Sequence, residues 1–529
     1  MEIEFKFCIP PAQLAAVTAA VRRGRHTPIR MEARYFDTPD AALSSRGIAL
    51  RLRREGDRWV QTVKALGDGP LDRHEHNVER GPASPAGAPA LQPGLHAGSP
   101  AGDILVRALQ GAAGPLAETY GTEMDRITRD IRFAGGMAEL ALDTGRVVAR
   151  RGTPQQQEAR ICELELELKS GPVAGLARLA DTWAQQHGLV LSTISKAERG
   201  ERLLAPQWVR PAVSARPLRA GSAAPLLLDA AHLQRAVLSH CLVQILGNAS
   251  EIVETTLPTT DLAEHVHQLR IGIRRLRTAL RELDALAPGR FAPHWEPALR
   301  DVFQRLGSLR DREQILRAIN AELRDAGAPA SLLMPLGDTP EHAAADIVRT
   351  PAFQSALVDL MGFTADKAEP TDGAQALPPK DVRRTLQKKL QSLRTQVLDD
   401  GRRIDTLAAP AQHRLRKRLK RLRYLAEFLV PAFDGDEGDA FLQSLRPALA
   451  ALGRLHDERV ASDLYTEIAT RDARAWFGVG WLAARRQRTT TVSRKALARI
   501  GEVPRLRKAK VPKASKAANA AKAAKAHRA

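Results

Sequence analysis

The chain has 529 residues, 44% hydrophobic and 4% aromatic, and its 80 Lys+Arg against 60 Asp+Glu give a formal charge of +20. Such a length suggests about three domain-sized units, with cores built on Leu, Ala, Val and Ile rather than on rings. Three scattered cysteines (Cys8, Cys162, Cys241) exclude a disulfide framework or a zinc cluster and point to a reducing compartment. No apolar run approaches the ~18–20 residues of a membrane span, and the opening MEIEFKF does not read as a signal peptide. The charge is uneven: 27 basic against 25 acidic residues in 1–205, 44 against 35 in 206–503, and nine against none in 504–529. A basic surplus of this kind predicts a polyanionic partner: nucleic acid, anionic lipid or polyphosphate.

In chain order, residues 1–205 read mostly as strands. Period-two alternation recurs in 2–7 (EIEFKF), 49–54 (ALRLRR), 59–65 (WVQTVKA), 138–143 (AELALD) and 161–169 (ICELELELK). Helical stretches interrupt near 10–22 and 172–187, and the Gly/Pro/Ala-rich 81–102 reads as a loop. Residues 206–225 read as a linker and 226–500 as helical, with a loop-rich gap at 363–380 dividing halves of about 226–362 and 380–500. The Lys/Ala-rich 504–529 has little to bury and reads as a disordered tail.

The helical half contains an internal repeat. HQLRIGIRRLRTAL starts at His267 and HRLRKRLKRLRYLA at His413, 146 residues later; LGSLRD and LGRLHD end at Asp311 and Asp457, each 44 residues after its histidine. Offsets of 0, 3, 7 and 10 fall within about 80° on a helix. His267, Arg270, Arg274 and Arg277 therefore form one basic stripe, and His413, Arg416, Lys420 and Arg423 a second. A solvated face with i,i+4 partners is the plain alternative. Few acids sit in either segment, so an anion facing the stripe is favoured.

In the strand region, Glu2, Glu4 and Lys6 share a face, as do Glu163, Glu165 and Glu167, Arg51 and Arg53, Glu139 and Asp143, and Arg73, Glu75 and Glu79. Any one of these reads plainly as the wet side of an antiparallel sheet. Taken together, dense carboxylates suit a hard cation, Mg²⁺ or Mn²⁺, and the neighbouring Arg and Lys suit phosphate oxygens. Asp143 reads alternatively as a turn residue before Gly145, and the acidic neighbours Glu123 and Asp125 leave the register around Arg126 open.

ExExK at Glu2–Lys6, YFDT at 35–38, LRLRR at 50–54, Lys64 in QTVKALG, ELELELKSG at 163–171 and SKAERG at 195–200 follow one another in an order that resembles the CYTH family of triphosphate tunnel metalloenzymes. The resemblance covers 1–205 and implies an eight-stranded antiparallel β-tunnel barrel with flanking helices. It also implies a metal-dependent hydrolase acting on phosphoanhydride bonds. By position it implies Glu2, Glu4, Asp143, Glu163 and Glu165 as metal ligands for Mg²⁺ or Mn²⁺, and Lys6, Arg51, Arg53, Lys64, Arg126 and Lys196 as substrate-binding residues. Glu2, Glu4, Lys6 and Glu165 form the implied catalytic set.

His240 with Gln244 and Asn248, VHQLRIGIRRLR, LGSLRD, HRLRKRLKRLRY and LGRLHD resemble the CHAD family of conserved-histidine helical domains over 226–500. That resemblance implies an all-α domain of two four-helix bundles. It implies inorganic polyphosphate bound by His240, His267, Arg270, Arg274, Arg277, His413, Arg416, Lys420 and Arg423. The two halves are not equivalent, because His456 stands where the first copy has Arg310.

The chain is thus an α+β multidomain protein similar to bacterial CYTH–CHAD inorganic triphosphatases. The expected activity is hydrolysis of tripolyphosphate to diphosphate and phosphate, in the cytoplasm, with long-chain polyphosphate on the helical half placing the enzyme at polyphosphate granules. Alternatives are other tunnel chemistry (adenylate cyclase, nucleoside or thiamine triphosphatase) or a non-catalytic polyphosphate-binding scaffold. Nucleic acid enters only through the basic tail.

Overall fold

The computed structural model describes residues 3–66, 73–83, 87–204, 209–215, 218, 229–255, 262–328, 343–366, 377–429 and 435–502. Glu2 and the tail 504–529 lie outside the described residues, as does part of the gap at 363–380.

Among the described residues, nine strands build one antiparallel sheet: β1 (Glu4–Cys8), β2 (Thr27–Asp37), β3 (Ile48–Glu55), β4 (Arg58–Leu66), β5 (Arg73–Pro82), β6 (Ala117–Phe133), β7 (Gly136–Ala149), β8 (Gln157–Ser170) and β9 (Val190–Leu191). Their order is β5-β4-β3-β2-β6-β7-β8-β1-β9. The eight expected strands, β1–β8, all contribute to one cavity, but among the described residues β9 adds a ninth strand and the sheet's hydrogen bonding does not close. The reason lies at the edge of β1. Phe7 and Cys8 pair with Leu191 and Val190, and Ser192 N donates to Lys6 O, so that edge is taken and does not join β5.

Alternation sorts the sheet's two faces as the sequence predicts. The outer side chains of β1, β7 and β8 (Phe5, Phe7, Leu140, Leu142, Leu164, Leu166) are fully or almost fully buried. They pack against α1 (Leu14–Val21) and α3 (Val173–His187) in a core that continues into the helical region. Two elements depart from the sequence reading of 81–102 as loop. β5 runs to Pro82, and α2 (Pro100–Leu109) begins there, its N-terminus capped by Ser99 Oγ, which accepts from Gly102 N. α4 (Lys196–Leu204) closes the region.

The helical region holds α5 (Ala230–Glu254), α6 (Ala263–Leu283), α7 (Trp295–Asp325), α8 (Ala343–Val348), α9 (Pro351–Ala365), α10 (Pro379–Arg402), α11 (Ala409–Leu429), α12 (Gly435–Ala469) and α13 (Trp476–Glu502). α5, α6, α7 and α9 pack as one four-helix group and α10, α11, α12 and α13 as another. The two copies of the basic repeat begin on α6 and α11, each 21 residues long. α5 is the one described helix long and apolar enough to cross a membrane, a feature missed in the sequence. Yet 72% of its apolar window is buried within the protein, as expected of a core helix.

The two regions share one core. α3 lies between the sheet and α9, and a Cβ built on Gly362 would stand 2.6 Å from Ala177 Cβ, so glycine permits the close approach of these helices.

Candidate active site and basic helical face

The inner face of the sheet lines a cavity of about 460 Å³. Register explains which charges meet. Across β6, β7 and β8, Arg126 stands opposite Asp143 and Asp143 opposite Glu163. In the next row Ala141 faces Glu165, which faces Lys6 of β1; in the third, Glu139 faces Glu167, which faces Glu4. Cross-strand neighbours on one face are close enough to interact directly. Glu4, Lys6, Arg51, Arg53, Lys64, Arg126, Glu163, Glu165 and Lys196 all line the cavity. Asp143 does not: it is fully buried in the middle of β7, which removes its reading as a turn residue.

Arg126 donates from Nε and Nη2 to the Asp143 carboxylate at 2.7 and 2.6 Å, and from Nη2 to Glu165 at 2.8 Å. Parity settles its register. Met124, Arg126 and Thr128 line the cavity, whereas Asp125 pairs with Arg30, and Glu123 with Arg146 and Arg151, on the opposite face.

The carboxylates of Asp143, Glu163 and Glu165 offer oxygens within 4.8 Å of one another. The Lys196 ammonium sits among them, 2.7 Å from Asp143 and 3.0 Å from Glu165, and also bonds Glu163. Burial opposes the charge on Glu165, but Lys196, Arg126 and Lys6 outweigh it and hold its carboxyl well below the usual range. Burial likewise opposes the charges of Lys196 and Arg126, and their carboxylate partners more than compensate, raising both.

These residues fit a divalent cation. The donors are hard oxygens, the site already holds positive charge in the form of an ammonium, and Glu163 Oε2 is buried without a hydrogen-bond partner, 3.9 Å from Arg199. Glu163, Glu165 and Asp143 would hold the ion, with Glu4 on the same wall.

The basic side of the cavity is also paired. Lys6 Nζ donates to Ile194 O at 2.5 Å, Arg51 Nη1 to Tyr35 Oη at 3.3 Å, and Lys64 Nζ lies 2.5 Å from Glu75. Arg53 pairs with Glu55, and burial beside Arg51 pushes its guanidinium down to about 10.

α4 carries Lys196 into this site. Glu198 Oε2 accepts from Ser195 N at 2.7 Å while Ser195 Oγ accepts from Glu198 N at 3.1 Å, a reciprocal cap written in the sequence as S-x-x-E. The cap places Lys196 in the helix's first turn, where a cation is disfavoured by the helix dipole. The three carboxylates offset that cost. Cavity residues that sequence reasoning missed include Glu55, Glu198, Glu201 and Arg210; SKAERGER signalled the first turn of α4, but nothing signalled Arg210.

On the helical region, Arg270, Arg274 and Arg277 of α6 gather around the ring of Phe303, at 5.2, 5.1 and 5.7 Å. His267 and His413 are exposed, and His240 is half-buried. His413 lies 5.6 Å from His456, ring to ring. Few acids sit in the repeat segments, as the sequence shows, but acids beyond them supply partners. Arg277 pairs with Glu296 of α7 at 2.6 Å and Arg423 with Glu427 at 2.7 Å, partners outside the repeat segments. The side chains of Arg310 and Asp311 lie outside the described residues. Gln244 and Asn248 are structural: Gln244 accepts from Arg275 at 2.9 Å and Asn248 holds the Val213 backbone.

Residues 1–200 match the CYTH domain and residues 236–466 the CHAD domain. The chain carries a CYTH domain followed by a CHAD domain. An inorganic triphosphatase of Haemophilus influenzae is 27% identical over 217 residues, a match spanning 39% of this chain and 56% of that protein, so the chain aligns with little more than half the length of this curated relative. Among solved structures, the CHAD domain from the plant Ricinus communis is 25% identical, with 57% of this chain and 100% of that chain covered at a TM-score of 0.45. A putative adenylyl cyclase from Hippeastrum, described as having a dominant triphosphatase activity, is 20% identical, with 38% and 95% covered at a TM-score of 0.29.

Proposed function

We propose that this protein is a metal-dependent inorganic triphosphatase that cleaves tripolyphosphate to diphosphate and phosphate within the CYTH cavity. The observation that carries the reading is the arrangement of that cavity: the carboxylate cluster of β7 and β8, with Lys6 beside it on β1, shares one cavity with Arg51, Arg53 and Lys64. Phosphoryl transfer requires charge neutralisation and in-line positioning more than covalent chemistry. The basic residues hold phosphate oxygens and orient the chain. Glu165, kept ionised against burial by Lys196, Arg126 and Lys6, is placed to accept a proton from an attacking water. A bound Mg²⁺ or Mn²⁺ supplies charge neutralisation and a more acidic water. Lys196 lies among the three carboxylates that would hold such an ion and neutralises part of their charge.

The CHAD domain binds long-chain polyphosphate in this reading, through the arginines around Phe303 and the stripe on α11. Guanidinium groups clustered this closely repel unless an anion lies between them. This ligand would place the protein in the cytoplasm at polyphosphate stores, a compartment in keeping with three scattered cysteines.

One observation favours a second substrate class. Ile29, Met31, Tyr35, Ile48 and Met124 also line the cavity, an apolar patch able to take the organic part of a nucleoside or thiamine triphosphate. Phosphate release from tripolyphosphate, ATP and thiamine triphosphate, each with Mg²⁺ and with Mn²⁺, decides between them. The triphosphatase reading expects tripolyphosphate to have the highest kcat/KM; a preference for an organic triphosphate would replace it.

A further inference from the structure

Arg210 belongs to neither matched domain, lying between 1–200 and 236–466, yet it lines the CYTH cavity. Its guanidinium reaches α4, 3.1 Å from Glu198, and also pairs with Glu201. Both acids line the cavity. The short segment that bears Arg210, residues 209–215, is held by the CHAD domain. His265 Nε2 of α6 donates to Arg210 O at 2.9 Å. Asn248 of α5 accepts from Val213 N at 3.1 Å and donates to Val213 O at 2.9 Å, clamping the backbone as a strand neighbour would. The far side of α4 is tied to α5 as well: Arg199 lies 2.5 Å from Glu254, and Arg202 pairs with Glu251.

The wall of the cavity formed by α4 is thus completed by a strap that the helical domain anchors. A polyphosphate entering the cavity would meet two carboxylates on that wall. Like charges repel, and in a half-buried cavity solvent screens them only in part. We propose that Arg210 is a positioning residue for the anionic substrate, delivered to the cavity by the interdomain strap and offsetting Glu198 and Glu201, so that the CHAD domain helps to set the substrate affinity of the CYTH site. The proposal rests on the triphosphate reading of that cavity.

The test uses the full chain and compares wild type, Arg210→Ala, Arg210→Lys, Asn248→Ala and the Arg210→Ala/Asn248→Ala pair. Hydrolysis of tripolyphosphate gives KM and kcat, and calorimetric titration with tripolyphosphate gives Kd. Arg210→Ala should raise KM and Kd roughly tenfold, as expected for losing one close charge partner in a partly screened site, with kcat changed less than about twofold. Arg210→Lys should recover most of the loss. Asn248→Ala leaves every cavity side chain in place and should shift KM the same way, and the double variant should be no worse than Arg210→Ala, because both act through one group. Should Arg210→Ala fail to fold, Arg210→Gln replaces it. A KM and Kd within about twofold of wild type in the alanine or glutamine variant, or additive losses in the pair, overturns the proposal while leaving the triphosphatase reading intact. Wild type that binds tripolyphosphate without cleaving it removes the triphosphatase reading, and Kd alone then decides the role of Arg210. Wild type that neither binds nor cleaves it overturns both.

Discussion

The two domains handle surplus charge in different ways. In the CYTH domain the charges are buried and cross-paired: strand register sets Arg126 against Asp143, with Glu165 beside it, and α4 brings Lys196 among three carboxylates. In the CHAD domain the cations lie along helices, many half-exposed. Acids from neighbouring helices and turns take some of them, as Glu296 takes Arg277, and the Phe303 ring gathers Arg277 with two others. The first arrangement is rigid and intolerant, suited to placing one small substrate and a cation. The second is graded and adaptable, suited to a long polyanion held by many weak contacts.

That contrast can be broken first at Lys196. Replacing it with Met leaves Asp143, Glu163 and Glu165 buried without their ammonium. Removing one partner of a buried ion cluster costs about 3–5 kcal/mol, so metal-free Lys196→Met should melt well below wild type. Added Mn²⁺ should recover much of that loss in the variant, because the carboxylates would then have a cation; an unchanged melting temperature without metal would contradict the buried-cluster account.

A smaller effect belongs to the seam between the domains. Burial pushes the Glu251 carboxyl up to about 7 despite Arg202. A folded value above the unfolded one means that stability is fully present below about pH 4.5 and is lost as pH rises towards 7. Glu251→Gln should therefore flatten the fall in stability across that window, read from melting temperatures at matched ionic strength. A slope as steep as wild type would show that Glu251 does not titrate there.

Smallest of all should be single changes on the basic stripes. Arg274→Ala should leave the melting temperature almost unchanged, lower polyphosphate affinity modestly, and reduce the salt dependence of binding by about one charge. Loss of folding instead would mean that the guanidinium cluster around Phe303 is a core feature rather than a binding surface.

How much of this was legible depended on periodicity. Glu163, Glu165 and Glu167 alternate with fully or nearly fully buried leucines, so their shared face was visible in the sequence, as was Lys64. Arg126 was ambiguous because its strand carries charge on both faces: parity alone cannot say which side is wet, and only pairing with β7 decides. α2 was hidden because Gly and Pro surround its capping Ser99. The open edge of the sheet was not legible either, since β9 is two residues long and is recruited by β1 from beyond α3. Arg210 left no trace at all: a linker's composition says nothing about which helices will hold it.

The central claim is that the carboxylates of β7 and β8 serve a triphosphate in the CYTH cavity. Its most direct test is phosphate release from tripolyphosphate by the purified full chain, with Mg²⁺ or Mn²⁺, beside Glu165→Gln. The account predicts metal-dependent release by wild type and a loss of about 10²-fold or more in the variant, as for removal of a single charged group from a preorganised site, with tripolyphosphate binding retained. Equal release by the two proteins, or none by wild type under either metal, would contradict it.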